Sequence, residues 1–194
     1  MNKLLITVAA VGALSLSACK QEGTSISNNQ TQGMTDEAMV DNTATMDSNM
    51  GMAASSSADQ TYVQDAAASD MFEIESSRLA LDKATVPALK TYAQMMIDEH
   101  TKSTNELKPA AQTAGIPVPA ALPADKQAKI DALRGLSGAE FDRQYLADQR
   151  SGHQETLAKV NSYLAEASAG PLKDHAAKVT GVVQKHLNSL EKIK

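Results

Sequence analysis

Residues 85–115 read TVPALKTYAQMMIDEHTKSTNELKPAAQTAG. Leu89, Ala93, Met96, His100, Leu107 and Ala111 recur there at helical spacing and trace one face of an α-helix. Thr85 opens the segment and Pro87 falls in its first turn, where a missing N–H costs nothing. Gly115 ends it. One face is apolar except for a single imidazole near its middle, so the segment must pack against others of its kind.

The flanks supply them. Upstream, residues 59–84 carry a stripe of Val63, Ala67, Met71, Ile74, Arg78 and Leu81, with Asp59 as the expected N-cap. Downstream, residues 115–124 read GIPVPAALPA, and their three prolines predict a non-helical connector. A short helix is expected from Asp125 to Arg134, stopped by Gly135. Ser137-Gly138-Ala139-Glu140 has the spacing of a capping box. The helix it opens carries Asp142, Tyr145, Gln149, His153, Thr156, Val160, Tyr163 and Ala167 on one face. Gly170-Pro171 marks the next stop and start. The last stripe is Leu172, His175 or Ala176, Val179, Val183, His186, Leu190 and Ile193.

No segment has the alternation of a strand. The expected fold is all-α: a four-helix bundle over 59–194, with a short extra helix between the second and third long helices. Short links make the first and last pairs antiparallel hairpins. The middle connection is long enough to cross the bundle, as in ferritin-like folds.

The chain ahead of the bundle reads as an export signal and a tether. Met1-Asn2-Lys3 is a short positive start, and Leu4 to Leu14 is uncharged. That apolar run is well short of the roughly 20 residues that span a bilayer, and fits a signal peptide over 1–18. Leu16-Ser17-Ala18-Cys19 resembles a bacterial lipobox, which makes Cys19 the lipidated residue and the membrane the partner of its acyl chains. Lys20 follows where an Asp would often signal inner-membrane retention, so the periplasmic face of the outer membrane is expected.

Residues 20–58, behind the lipidated Cys19, are rich in Ser, Thr, Asn, Gln, Met, Ala and Gly and have no periodic apolar face, which predicts a disordered tether. Its typical reach is roughly 35 Å. It holds Met34, Met39, Met46, Met50 and Met52. Thioethers select Cu(I), but a low-complexity tether that tolerates Met is the plainer reading.

Composition narrows the function. Net charge is −5, and only Lys3 precedes Cys19 among charged residues, so the mature chain carries 17 Lys and Arg against 23 Asp and Glu. There is no basic surplus for phosphate contacts, which argues against nucleic acid. The one cysteine excludes an intramolecular disulfide. No nucleophile elbow, Gly-rich phosphate loop or Cys pair occurs, so enzymatic action finds little support and ranks third among the readings.

Three histidines are conspicuous. His100, His153 and His186 lie on the apolar stripes of three helices, each near the middle of its helix and about 14–16 residues from its start. At about 1.5 Å per residue they share a depth of roughly 21–24 Å. They become candidate ligands for copper, zinc or iron, with Glu73, Glu75 and Asp142 as candidate carboxylates. Asp70, Asp98, Glu99 and Asp148 lie near the same height. Asp142 is three turns, roughly 16 Å, before His153 and cannot share one ion with it. The Glu-x-x-His pairs of di-iron bundles are missing, since Ile97, Arg150 and Val183 stand at the Glu positions. The competing reading is that each imidazole is a satisfied core group. His175, one turn into its helix, reads as structural or exposed.

Several stretches together resemble a bacterial family known as domain of unknown function 4142. They are Met71 to Ala80 (MFEIESSRLA), Leu89 to Thr101 (LKTYAQMMIDEHT), Phe141 to Tyr145 (FDRQY) with His153, Leu172 to His175 (LKDH), and His186-Leu187. The resemblance implies an exported, often lipidated, ferritin-like helical module with no established activity. It also implies recurring polar positions at Glu73 or Glu75, His100, Asp142, His153 and His186. Two functions compete: a periplasmic metal-binding module linked to envelope stress, and an interaction or structural module that meets another protein or its own copy.

Overall fold

The computed structural model describes residues 56–193. The segment expected to be an export signal, Cys19 and the methionines from Met34 to Met52 lie outside the described residues. Five helices follow in order: α1 (Ser57–Lys83), α2 (Pro87–Thr113), α3 (Ala124–Gly135), α4 (Gly138–Glu166) and α5 (Pro171–Leu190). No strand occurs among the described residues. This is a helical bundle of the ferritin-like kind, with α3 as the extra short helix.

The helix starts differ from expectation in two places. The N-cap of α1 is Ser56, and Asp59 stands at N3. The Asp59 amide donates to Ser56 Oγ and the Ser56 amide donates to Asp59 Oδ2, each at 3.1 Å. A capping box therefore forms here, where a simple Asp cap was expected. Ser137 is the N-cap of α4, but its side chain makes no capping bond. Gly138 follows it at φ 57°, a left-handed angle that breaks the geometry a capping box needs.

Antiparallel neighbours and a full-length crossover are read from which residues meet. At one end the start of α1 (Tyr62, Val63, Ala67) packs with the end of α2 (Leu107, Ala111), the end of α4 (Val160, Tyr163) and the start of α5 (Leu172, Ala176). At the other, the end of α1 (Ala80) packs with the start of α2 (Leu89, Tyr92, Ala93, Met96), the start of α4 (Phe141, Tyr145) and Leu190. So α2 finishes at one end, α4 begins at the other, and residues 114–137 run the length between them. α3 rides on α1 and α4 with Ile130 and Leu133 buried beneath it. Lys83 Nζ ties it down by donating to the carbonyls of Arg134 and Leu136, at 2.6 and 2.9 Å.

The stripe read for α2 is buried throughout, but α1 is rotated from its expected face. Arg78 is exposed, and Met71, Ile74 and Leu81 are half-buried. The buried face instead carries Asp70, Phe72, Glu73, Ser76, Ser77 and Ala80. Its polar members defeat a search for apolar periodicity, because a buried Ser or Glu is invisible to it. They also explain the division of the core. Two apolar clusters fill the ends of the bundle, and a polar layer of Asp70, Glu73, His100, Gln149, His153 and His186 fills the middle.

Candidate metal centre

That middle layer brings three imidazoles together. α2 supplies His100, α4 supplies His153 and α5 supplies His186. Ring centroids are 5.0 Å apart for His153 and His186, 5.3 Å for His100 and His186, and 5.8 Å for His100 and His153. One ligand nitrogen from each ring lies within 4.8 Å of those from the other two. All three rings are buried, with His186 at 0% exposure.

Each ring is tied outward to an acceptor. His100 Nδ1–H donates to Asp70 Oδ1 at 2.8 Å. His153 Nδ1–H donates to the Gln149 carbonyl oxygen at 2.7 Å, one turn back on its own helix. His186 Nε2–H donates to Glu99 Oε2 at 2.7 Å. Carbonyl and carboxylate oxygens only accept, so the tautomers are set. In the neutral rings the lone pairs stay on His100 Nε2, His153 Nε2 and His186 Nδ1. His153 Nε2 and His186 Nδ1 then face each other across 2.9 Å, and His100 Nε2 is buried with no hydrogen-bond partner.

Electrostatics keeps two of these rings neutral. Burial pushes His153 below its ordinary pKa. Burial, reinforced by repulsion from His100 and His153, pushes His186 down to about 3. Burial also acts downward on His100, but the hydrogen bond and charge of Asp70, with Glu73 and Glu99 adding, carry it above its ordinary value. Glu99 is penalised by burial, yet hydrogen bonds from Lys185 and His186 hold it below the usual carboxylate range. Two facing lone pairs and an orphaned third nitrogen are unfavourable on their own. They suit a cation, and the outward hydrogen bonds are the outer-shell contacts that orient imidazole ligands on metals. The donor set fits a divalent transition ion.

The candidate carboxylates separate. Glu73 is buried beside the layer, where the Gln149 side-chain amide donates to its Oε2. Its Oε1 is 3.8 Å from His153 Nδ1, the outward nitrogen of that ring. Gly152 makes room for it, since a Cβ there would stand 3.2 Å from Glu73 Oε1. Glu75 is not brought to the layer. It faces Arg134 of α3 at 3.8 Å, because two residues along a helix turn a side chain about 200° around the axis. Asp142 is not brought there either. It accepts the Thr85 amide at 3.0 and 3.2 Å, and the Thr85 hydroxyl, at the far end of the bundle.

Asp70 and Glu99 do touch the imidazoles, and the sequence pattern did not single them out. Their height was visible, but which of Asp98 and Glu99 faces α5 depends on helix rotation. His175 is buried and structural: Tyr62 OH bonds its Nδ1 at 2.6 Å, and its Nε2 lies 3.2 Å from the Ser103 carbonyl.

The family model described as Domain of unknown function (DUF4142) matches residues 28–193. No curated protein matches the chain. The crystal structure of a DUF305 fragment from Deinococcus radiodurans is similar to this fold, with a TM-score of 0.63 at 12% identity. The similarity covers 71% of this chain and 95% of that one, and at such low identity it speaks to the fold alone.

Proposed function

The chain belongs to the DUF4142 family, for which no activity is assigned, and on that premise we propose that its bundle is a metal-binding domain carried by an exported lipoprotein. One observation carries the metal reading. Three buried imidazoles from three helices are each tied outward to an acceptor, and their remaining nitrogens converge. Imidazole donors suit zinc, copper, iron and nickel. With no carboxylate turned inward among the described residues, zinc or copper(II) fits better than non-haem iron, which favours two imidazoles with a carboxylate.

Elemental analysis of protein purified without chelator tests this. About one zinc or copper ion per chain is expected. Metal-free protein whose melting temperature does not move on adding either ion would leave an interaction module instead.

Cys19 and the segment before it support a membrane anchor on the periplasmic face of the outer membrane. Cys19→Ser should shift the protein from the membrane to the soluble fraction of a cell expressing it. Retention of that variant in the membrane would overturn the anchor.

A further inference from the structure

The start of α1 meets the end of α4 in a pair of tyrosines. Tyr62 and Tyr163 stack nearly parallel, with ring centroids 4.3 Å apart and planes 6° from parallel. Aromatic pairs usually keep their centroids about 4.5–7 Å apart, so these two π systems overlap closely. Each phenol also faces a base. The Tyr163 hydroxyl donates to Asp59 Oδ1 at 2.7 Å, and the Tyr62 hydroxyl lies 2.6 Å from His175 Nδ1. His175 Nε2 is 3.2 Å from the Ser103 carbonyl, an oxygen that only accepts. Nε2 therefore carries the ring proton, and Nδ1 keeps the lone pair that accepts from Tyr62. Burial holds this imidazole below its ordinary pKa, so the ring is neutral and free to take a proton, while the charges of Asp70 and Glu106 act in favour of the imidazolium.

The other two tyrosines lack this arrangement. Tyr145 pairs with the Ser77 hydroxyl at 2.8 Å, and the Tyr92 hydroxyl has no hydrogen-bond partner among the described residues. Position separates the pairs as well. Tyr62, Tyr163 and His175 line a cavity of about 1090 Å³ whose wall also carries the exposed Thr61 and Lys159, and neither Tyr92 nor Tyr145 belongs to that wall. Small solutes entering there meet the first pair.

Residues 56–193 contain no Trp and no Cys, which leaves phenols as their readiest one-electron donors. Removing an electron from a phenol makes its proton strongly acidic. A neutral base already at hydrogen-bond distance takes that proton as the electron leaves, and an overlapping ring spreads the unpaired electron.

We infer that Tyr62 and Tyr163 form a one-electron donor site for small oxygen-centred radicals that enter the cavity. The incoming radical gains one electron from Tyr62 and becomes its anion. The phenolic proton crosses to His175 Nδ1, leaving a neutral tyrosyl radical shared with Tyr163 and an imidazolium bonded to its oxygen. An electron from a small reductant such as a quinol, with that proton returned, restores the phenol. The site stands apart from the metal reading, since none of these groups belongs to the layer of His100, His153 and His186.

The test exposes the full chain, treated with chelator, to carbonate radicals made by pulse radiolysis. Tyrosyl radical is followed by its absorption and by electron paramagnetic resonance of freeze-quenched samples. The parent is expected to form it at a rate that falls about twofold in D2O, because the proton moves with the electron. Tyr62→Phe with Tyr163→Phe should cut the yield at least fivefold, and Tyr92→Phe with Tyr145→Phe should leave it unchanged. A parent-like yield from the first double variant would overturn the site, as would a fivefold loss in the second. A parent rate that D2O does not alter would overturn the proton transfer to His175, and that measurement needs no variant to fold.

Discussion

Exchanging His153 for alanine is expected to abolish retained metal and to erase the metal-dependent rise in melting temperature. His153 Nδ1–H donates to the Gln149 carbonyl at 2.7 Å, and its Nε2 faces His186 Nδ1 across 2.9 Å. Its loss leaves two imidazoles to hold the ion. Removing an outer-shell partner typically costs about 10–100-fold in metal affinity, and removing a direct ligand should cost more. In the unaltered protein an ion at 100 times its Kd stabilises by about 2.7 kcal/mol. Differential scanning calorimetry with and without zinc should show that gain in the parent and none in the variant. Without metal, the exchange should cost less than the roughly 2–5 kcal/mol of an ordinary large-to-small core change, because it also removes one of two opposed lone pairs. A variant that keeps a full complement of metal would place the ion elsewhere, with the Met46 to Met52 segment the first place to look.

The second large effect falls at the other end of the bundle and should leave metal untouched. Asp142→Ala is expected to destabilise the fold by about 3 kcal/mol, since hydrogen bonds to a charged group are worth roughly 1.5–3 kcal/mol each. Asp142 is buried on α4 and accepts both the amide and the hydroxyl of Thr85. α2 has no side-chain cap of its own at Val86, so this carboxyl anchors the turn between α1 and α2. Urea unfolding reads the loss, and elemental analysis of the same preparation should match the parent. Lowered metal content in well-folded Asp142→Ala protein would contradict the placement of this residue outside the centre.

These two residues also show what could be read without coordinates. His153 and Asp142 share one stripe of one helix, and sequence spacing alone ranks them together. Height separates them. Counting residues from each helix start places His100, His153 and His186 at one level, and that count works because neighbouring helices run antiparallel at full length. Rotation is harder. Glu73 and Glu75 have nearly the same height, yet one is buried beside His153 and the other meets Arg134. Choosing between them requires the buried face of α1, and that face is built from Ser76, Ser77, Asp70 and Glu73, which carry no hydrophobic signal. α2 was readable because its buried face is Leu, Ala and Met between a proline and a glycine. The partners Asp70 and Glu99 stayed hidden for the same reason as the face of α1. A hydrogen bond between helices depends on how two cylinders are turned, and local sequence does not record it.

The division of the core into two apolar ends has a mechanical consequence. His100 belongs to the first hairpin, and His153 and His186 belong to the second. At the level of the imidazoles the hairpins meet through polar groups, flanked by surface ion pairs such as Lys185 with Glu99. An ion held there would act as a clasp across the waist of the domain, joining two halves that the chain itself connects only through the long strap carrying α3. Opening that clasp would loosen the waist first, while the greasy ends stayed shut.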